Sequence, residues 1–130
     1  MDTSVSTGLD IYKIIIDKDC NAPPGDVNLK PGDTIVFVSE LDNPMVIIKD
    51  GRNPFMERPP HRLKNGHLSR KIKTHDQDDE YRYCAVCNPN ITPEEIGAIE
   101  NDPENCQPGI TAPRMRINVG GVGENNDGTR

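Results

Sequence analysis

The chain has 130 residues, a formal net charge of −6, a sequence pI near 5.0 and a hydrophobic fraction of 33 %. This length fits one domain, the acidic balance argues against general nucleic-acid binding, and no apolar run reaches the length of a membrane span. The low mean hydropathy of −0.69, together with 11 glycines and 12 prolines, predicts a small β protein with long connections. The opening segment, residues 1–6, is not typical of a signal peptide.

Seven short segments have the alternating or β-branched pattern of strands. In chain order they cover residues 11–16, 27–29, 34–38, 45–48, 68–73, 80–87 and 114–119. In the third segment, Ile35 and Phe37 share one face and are predicted to lie in the core. Turn residues separate the segments, among them Asn65-Gly66 and Pro31-Gly32-Asp33, where the glycine is free to take a positive φ. The number and spacing of the strands predict an all-β sandwich.

One short helix is predicted in the long connection before the last strand. Residues 92–95, Thr-Pro-Glu-Glu, have the sequence of a capping box with proline at the first helical position. Ile91 and Ile96 take the positions of a hydrophobic staple around the N-cap. These signals predict a helix at about 93–100, with Ile96 and Ile99 facing the body of the protein.

Four segments, taken in order, resemble the cupredoxin family. Leu29–Phe37 resembles the family's Pro/Ala-Gly-Asp-x-Ile/Val-x-Phe strand, and Asn43–Asp50 resembles its Pro-His-Asn-Val-Val-Phe-Asp segment. Gly66 with an alternating strand, followed by Tyr81-Arg82-Tyr83, resembles the approach to the family's metal loop. Residues 114–119 resemble the closing strand of the family.

The resemblance covers about residues 11–119 and implies a cupredoxin-like Greek-key β-sandwich of about seven or eight short strands. The helix near 93–100 would then lie in the loop before the last strand. Outside this domain, residues 1–10 are expected to be flexible and the Gly/Asn-rich tail, 120–130, disordered.

The resemblance also implies that the copper chemistry of the family is absent. A type 1 site uses two histidines and one cysteine thiolate, usually with a weak axial methionine. In register with the family, the first histidine, the cysteine and the second histidine correspond to Met45, Ala85 and Asn88. Even if a bulge shifted a cysteine into its position, no histidine follows His75 in the sequence. We therefore expect no type 1 copper and no electron transfer by that route.

The same resemblance implies that the cysteines gather at the end of the sandwich where copper would bind. These residues are Cys20, Cys84, Cys87 and Cys106. Two disulfides are the first interpretation, because they would tie the loops 17–26 and 88–113 to the body of an exported protein. Cys84 and Cys87 lie on opposite faces of an ideal strand and are not expected to bond to each other, which leaves two pairings with the other two cysteines.

Two other interpretations of the cysteines stay open. In the first, the four thiolates form a zinc site that uses the Cys84-x-x-Cys87 spacing, or thiols bind copper(I) together with Met45. In the second, Cys84 and Cys87 form a redox-active dithiol, as in a thiol–disulfide oxidoreductase. That chemistry favours a first thiol at a helix N-terminus, whereas Cys84 ends a strand.

A basic segment interrupts the otherwise acidic chain. It contains Arg58, Arg62, Lys64, Arg70, Lys71 and Lys73, interspersed with His61, His67 and His75. One interpretation is a patch for an anionic ligand or an acidic protein partner, and the simpler one is a solvated strand face and loop. The histidines lack the i, i+4 spacing of a helical metal site.

Several other residues have a simple structural interpretation. Met115 alternates with apolar residues and is predicted to be core, whereas Met45 would fill the copper end; the third methionine considered is Met56. The acidic turn 76–80 lacks the glycine and ligand spacing of a calcium loop. Asn90-Ile91-Thr92 is a glycosylation sequon, although the following proline is a poor context.

The sequence contains no nucleophile elbow, phosphate loop or pair of catalytic carboxylates, so no enzyme activity is predicted. We expect a non-catalytic binding or structural domain without a cofactor. It would contact a protein partner through 40–45 and 84–110, with 17–26 as a further candidate. The alternatives are a metal-binding protein with zinc or copper(I), and a thiol–disulfide oxidoreductase. If the cysteines form disulfides, the protein is expected to be periplasmic or extracellular.

Overall fold

The computed structural model describes residues 10–102, 104–107 and 109–119, apart from the side chain of Gln107. In chain order its elements are β1 (Ile11–Ile16), β2 (Asp26–Leu29), β3 (Thr34–Ser39), β4 (Met45–Ile48), a 3₁₀ turn (Lys49–Gly51), β5 (His61–Arg62), β6 (His67–Lys71), β7 (Asp79–Val86), α1 (Pro93–Asn101), β8 (Asn105–Gln107), β9 (Ile110–Thr111) and β10 (Arg114–Ile117). The predictions for residues 1–9 and 120–130 lie outside the described residues.

Two main sheets form the body of the protein. The first has three strands in the order β1-β3-β6, with β1 parallel to β3 and β6 antiparallel to it. The second has five strands in the order β2-β10-β7-β4-β5, and its pairs are antiparallel except for β2 with β10. The short strands β8 and β9 pair with each other.

The core lies between the two main sheets. Ile35 and Phe37 of the first sheet and Met115 and Ile117 of the second are fully buried, because each strand turns alternate residues inward. The ring of Phe37 meets the ring of Tyr83 edge to face, with 6.1 Å between centroids, which joins the two sheets directly. The prediction of an all-β sandwich with one short helix is therefore confirmed.

Strand β4 is buried on both faces. Val46 and Ile48 belong to the core cluster, whereas Met45 and Ile47 alternate with them and are also buried. The second face is covered by α1, which contacts β4 and the 3₁₀ turn after it. The helix therefore packs on the outer face of the five-stranded sheet, and its own residues remain partly or fully exposed.

The helix begins as the sequence predicts. Thr92 Oγ1 accepts a hydrogen bond from the Glu95 amide at 3.1 Å, and a Glu95 carboxylate oxygen accepts one from the Thr92 amide at 2.9 Å. This reciprocal capping box satisfies backbone donors that a helix start leaves free. The helix runs one residue beyond the predicted end, to Asn101.

None of the helices in the described residues has the length and apolar character needed to cross a bilayer.

The turn before β3 is organised by a buried carboxylate. Asp33 is fully buried, and its two oxygens accept hydrogen bonds from the amides of Asp10 and Lys30, each at 2.9 Å. The Lys30 ammonium lies 3.2 Å from the same carboxylate. Gly32 has φ of 93°, which confirms the positive φ expected in this turn. The start of β1 is thereby held to the turn that precedes its neighbour β3.

The hairpin before β6 places Gly66 against the chain. Asn65 and Gly66 have φ of 53° and 75°, and Lys64 and His67 exchange backbone hydrogen bonds on either side of them. The Gly66 carbonyl accepts from the Ser39 amide and the Gly66 amide donates to the Asp42 carbonyl, both at 2.9 Å. The tip of this hairpin is therefore bonded to the end of β3.

The seven predicted strands are all present, two with the predicted ends and five with ends shifted by one or more residues. The strand expected at 68–73 is His67–Lys71, because Ile72 leaves its neighbour and forms a bridge with Phe55. The strand expected at 114–119 ends at Ile117. Three strands were not predicted, β5, β8 and β9, and each has only two or three residues, too few for a periodic pattern.

Candidate functional site

One end of the sandwich contains a cavity of about 290 Å³. Its walls come from the loop after β1, the end of β7, Ile99 of α1 and the chain from β8 to β10. We call this cavity the end pocket; it is lined by Asp19, Cys20, Asn21, Ala22, Ala85, Val86, Cys87, Asn88, Ile99, Cys106, Ile110, Thr111 and Pro113. Residues of the segments 17–26 and 84–110, both named in the predicted contact surface, thus meet around one cavity, whereas no residue of the third predicted segment, 40–45, lines it.

A disulfide between Cys20 and Cys87 joins the two sides of the end pocket. Their Cα atoms are 6.0 Å apart, and the bond links the loop after β1 to the end of β7 in the other sheet. Cys20 has φ of 65°, a left-handed conformation that is uncommon for a residue with a side chain. The loop is held in this shape by Asp17, whose Oδ1 accepts from the amides of Asp19 and Asn21, each at 3.0 Å.

A second disulfide, between Cys84 and Cys106, fastens the helix-bearing loop to β7. The Cα atoms are 5.4 Å apart, and Cys84 is buried with 1 % of its surface exposed. Cys84 alternates with the core tyrosines of β7 and therefore lies on the outer face of the sheet, opposite the face of Tyr83. The bond holds β8 and the end of the loop over that outer face.

The prediction that Cys84 and Cys87 do not pair with each other is confirmed, and of the two remaining pairings the structure has Cys20–Cys87 and Cys84–Cys106. All four sulfurs are in disulfides, so in this structure none is a thiolate that could bind zinc or copper(I) or begin thiol exchange. In the described part of the chain, no three His, Cys, Asp or Glu side chains come together as metal ligands would.

A buried lysine completes the attachment of the loop. Lys49 follows β4, is 3 % exposed, and donates hydrogen bonds at 2.6 Å to the carbonyls of Ile99 and Asn105. Burial lowers the pKa of its ammonium, while the nearby carboxylates of Asp102 and Asp50 act in the opposite direction. Because Ile99 is in the last turn of α1, the cation also meets the negative end of the helix dipole.

The three positions that correspond to copper ligands do not share one cavity. Ala85 and Asn88 line the end pocket. Met45 is 7 % exposed, pairs with Val86 across the strands and lines a different cavity, next to α1. Met45 is therefore buried next to the end of β7 but does not line the end pocket.

The predicted basic patch does not form one surface. Arg70 and Lys71 are consecutive in β6 and lie on opposite faces of the strand. The Arg70 guanidinium donates to His61 Nδ1 at 2.9 Å, and Arg62 donates to the Asn43 carbonyl at 2.9 Å. Arg70 and Arg62 are therefore held by hydrogen bonds within the chain. The other four cations of the segment are exposed: Arg58, Lys64, Lys71 and Lys73.

The other residues considered in the sequence are the methionines, His75 and the acidic turn 76–80, and most of them are buried or contact other side chains of the chain. Met115 is fully buried, as predicted, and Met56 is 64 % exposed. His75 Nε2 lies 2.8 Å from the Tyr81 hydroxyl. Arg52 forms an ion pair with Asp79 and stacks over the ring of Tyr81, with its guanidinium carbon 4.1 Å from the ring centroid. Asp79, in the acidic turn 76–80, is thus paired with Arg52 of the same chain.

Two features of the site were not found from the sequence. One is the role of Lys49, for which the only signal was a cation placed directly after a run of four apolar residues. The other is the burial of His61, which its position in a basic segment does not indicate. Both roles depend on tertiary contacts, with residues 50 positions from Lys49 and nine positions from His61.

The sequence was compared with models of known protein families and with curated proteins. No family model matches the chain. No curated protein matches it either.

Proposed function

We propose that this chain is a non-catalytic, cupredoxin-like binding domain without type 1 copper, which contacts a protein partner through the end pocket. The observation that carries the proposal is that the pocket is framed by the Cys20–Cys87 disulfide and lined by Ala85 and Asn88, two positions that correspond to copper ligands in the family. The parallel pairing of β1 with β3, and of β2 with β10, within two packed sheets supports the family assignment.

The pocket is suited to an apolar side chain of a partner. Its walls include Ile99, Ala85 and Ile110, and Ile110 is 36 % exposed at the surface. Asp19, Asn21 and Asn88 supply polar groups around this apolar part. An apolar centre with polar groups near its edge is the usual arrangement of a contact site for another protein.

The cross-links support binding because they fix the walls before a partner arrives. One disulfide holds the loop after β1, and the second disulfide and Lys49 hold the loop after β7. A site whose loops are already ordered loses less conformational entropy on association. Disulfides are also maintained in oxidising compartments, so the same bonds support a periplasmic or extracellular location.

Site-specific photo-crosslinking tests the proposed contact surface. A photoreactive phenylalanine analogue would replace Ile110 at the pocket or, as the control, Ile11, which is 76 % exposed on the first sheet. Each oxidised variant is exposed to extracts of the source cells and cross-linked. We expect a discrete adduct from position 110 that is lost in an Ile99→Asp background and is not formed from position 11. Adducts of equal yield from both positions, or none from position 110, would refute the contact surface.

Copper addition tests the absence of a type 1 site separately. Copper(II) added to the chain, both oxidised and after reduction of its disulfides, should produce no intense blue cysteine-to-copper charge-transfer band, because both histidine positions and the cysteine position hold other residues. Appearance of that band would overturn this part of the proposal and leave the contact surface to be judged by the cross-links.

A further inference from the structure

The negative charge of the chain is concentrated in the walls of the end pocket. These walls come from two segments, residues 17–22 and 84–113. Together the two segments hold seven of the 21 acidic residues and one of the 15 lysines and arginines, so their net charge of −6 equals that of the whole chain. The acids are Asp17, Asp19, Glu94, Glu95, Glu100, Asp102 and Glu104, and the one cation is Lys18. The rest of the chain is therefore electrically balanced, whereas this end of the sandwich is not.

The acids of the two segments are not neutralised by ion pairs. None of these seven carboxylates takes part in an ion pair between two described residues. Where they accept hydrogen bonds, the donors are neutral backbone amides, as at Asp17, Glu95 and Asp102. The amides lower the pKa of Asp102, which keeps this carboxylate ionised. The negative charge is therefore left to act on a partner.

Two cations from outside the segments reach the walls, but they offset only part of this charge. Lys49 donates to the carbonyls of Ile99 and Asn105. The Arg82 guanidinium donates to the Ala112 carbonyl at 3.2 Å. With both cations counted, the net charge is still −4. Lys49 is only 3 % exposed, so a partner meets the acids and not this ammonium.

The acids lie close enough to the apolar cavity to act on the same partner segment. Asp19 is part of the lining, and Glu104 is two residues from Cys106, which also lines the cavity. Glu94 lies five residues before Ile99 in α1, a rise of about 8 Å along the helix axis, which is about one Debye length at physiological salt. A residue next to an apolar side chain bound in the pocket therefore lies in a negative field.

We propose that the end pocket recognises a protein segment in which an apolar side chain is flanked by lysine or arginine residues. The apolar side chain would lie against Ala85, Ile99 and Ile110, and the cations would lie near Asp19 and the acids of α1. This inference rests on the proposed protein contact and names the chemistry of its partner. Complementary charge speeds association with a basic partner and works against acidic ones.

Three synthetic peptides separate the apolar and the electrostatic parts of the recognition. The first has one leucine between two pairs of lysines. The second is the same peptide with acetylated lysine side chains, and the third has serine in place of the leucine. Each is titrated into the ¹⁵N-labelled oxidised protein, and the shifts of backbone amides give the site and the dissociation constant.

We expect the first peptide to bind about tenfold more tightly than either of the others at an ionic strength of about 0.05 M. The amide shifts should map to residues 19–22, 85–88 and 110–111. Raising the ionic strength to about 0.5 M should remove most of the difference between the first and the second peptide, because salt screens exposed charges.

A matched pair of variants tests whether the acids at the pocket are responsible. Asp19→Asn removes one exposed charge at the pocket. Asp76→Asn is the control, because Asp76 is also exposed but lies before the start of β7, roughly 20 Å from the end of that strand at the pocket. We expect Asp19→Asn to weaken binding of the first peptide about two- to fivefold and Asp76→Asn to leave it unchanged.

Equal affinity for the lysine peptide and its acetylated form would overturn the inference about charge without touching the contact surface. Equal affinity for the leucine and serine peptides, equal effects of the two variants, or shifts away from the end pocket would also overturn it, since charge would then act without the pocket. If none of the peptides binds, the inference is wrong as well, and the photo-crosslinks alone decide whether the contact surface exists.

Discussion

Replacement of Gly66 by alanine should destabilise the fold strongly, because the hairpin tip has no room for a side chain. A Cβ atom at Gly66 would lie 2.2 Å from the backbone oxygen of Ser39 and 3.3 Å from that of Leu41. Real Cβ atoms do not approach backbone oxygens this closely, so the hairpin must move away from β3. Gly51 offers a matched control, since its φ is similarly positive, at 64°, but a Cβ there meets no atom within 4 Å.

The two substitutions share one energetic term and differ in another. In both, alanine in the left-handed conformation costs about 1–2 kcal/mol, part of which is offset because alanine also restricts the unfolded chain. Only at Gly66 must the hairpin shift, which weakens the hydrogen bonds to Ser39 and Asp42. At about 0.5–1.5 kcal/mol for each bond, Gly66→Ala should cost about 2 kcal/mol more than Gly51→Ala.

Urea unfolding under non-reducing conditions, followed by far-ultraviolet circular dichroism, measures this difference. With an m value of roughly 1–2 kcal/mol per M for a domain of this size, the midpoint of Gly66→Ala should lie about 1–2 M below that of Gly51→Ala. If the two variants have free energies of unfolding within about 0.5 kcal/mol of each other, the close approach at Gly66 is not what stabilises this hairpin.

Three further predictions follow from buried groups. Lys49→Met should lower the free energy of unfolding by about 1–3 kcal/mol and speed amide hydrogen exchange in α1, because two carbonyls lose a charged donor; unchanged exchange would contradict this. The pKa of His61 falls from 6.5 to about 4 on folding, so between those pH values the unfolded chain binds a proton that the folded chain does not. Stability should therefore decrease as the pH falls through that window, by at most about 3 kcal/mol, and His61→Phe should lack this component when the two proteins are compared by urea unfolding. Mild reduction should open the half-buried Cys20–Cys87 bond before Cys84–Cys106, since Cys84 is buried. Alkylation and mass spectrometry identify which thiols are released first, and the reverse order would refute this reasoning.

The sequence predicts the fold well wherever the structure depends on local pattern. The β-branched segment 11–16 and the apolar segment 45–48 have the bounds that were expected, and the capping box places α1 correctly. Strands of two or three residues, such as His61–Arg62, are held by their partners in the sheet and leave no periodic signal of their own.

The candidate site was predictable only in part. Strand alternation argues against a bond between Cys84 and Cys87, but the choice between the two remaining pairings depends on where the loop after β1 meets β7. The roles of Lys49 and His61 depend on residues 50 and 9 positions away, Ile99 and Arg70, so they follow from tertiary contacts rather than from local sequence.

The disulfide connectivity has a consequence for proteolysis. The first bond spans residues 20 to 87 and the second spans 84 to 106, so the two spans overlap and together cover most of the described chain. Any single backbone cut between Cys20 and Cys106 leaves both fragments joined by at least one covalent bond. A nicked molecule therefore migrates as one species until it is reduced, and the helix-bearing loop can be cleaved without being released.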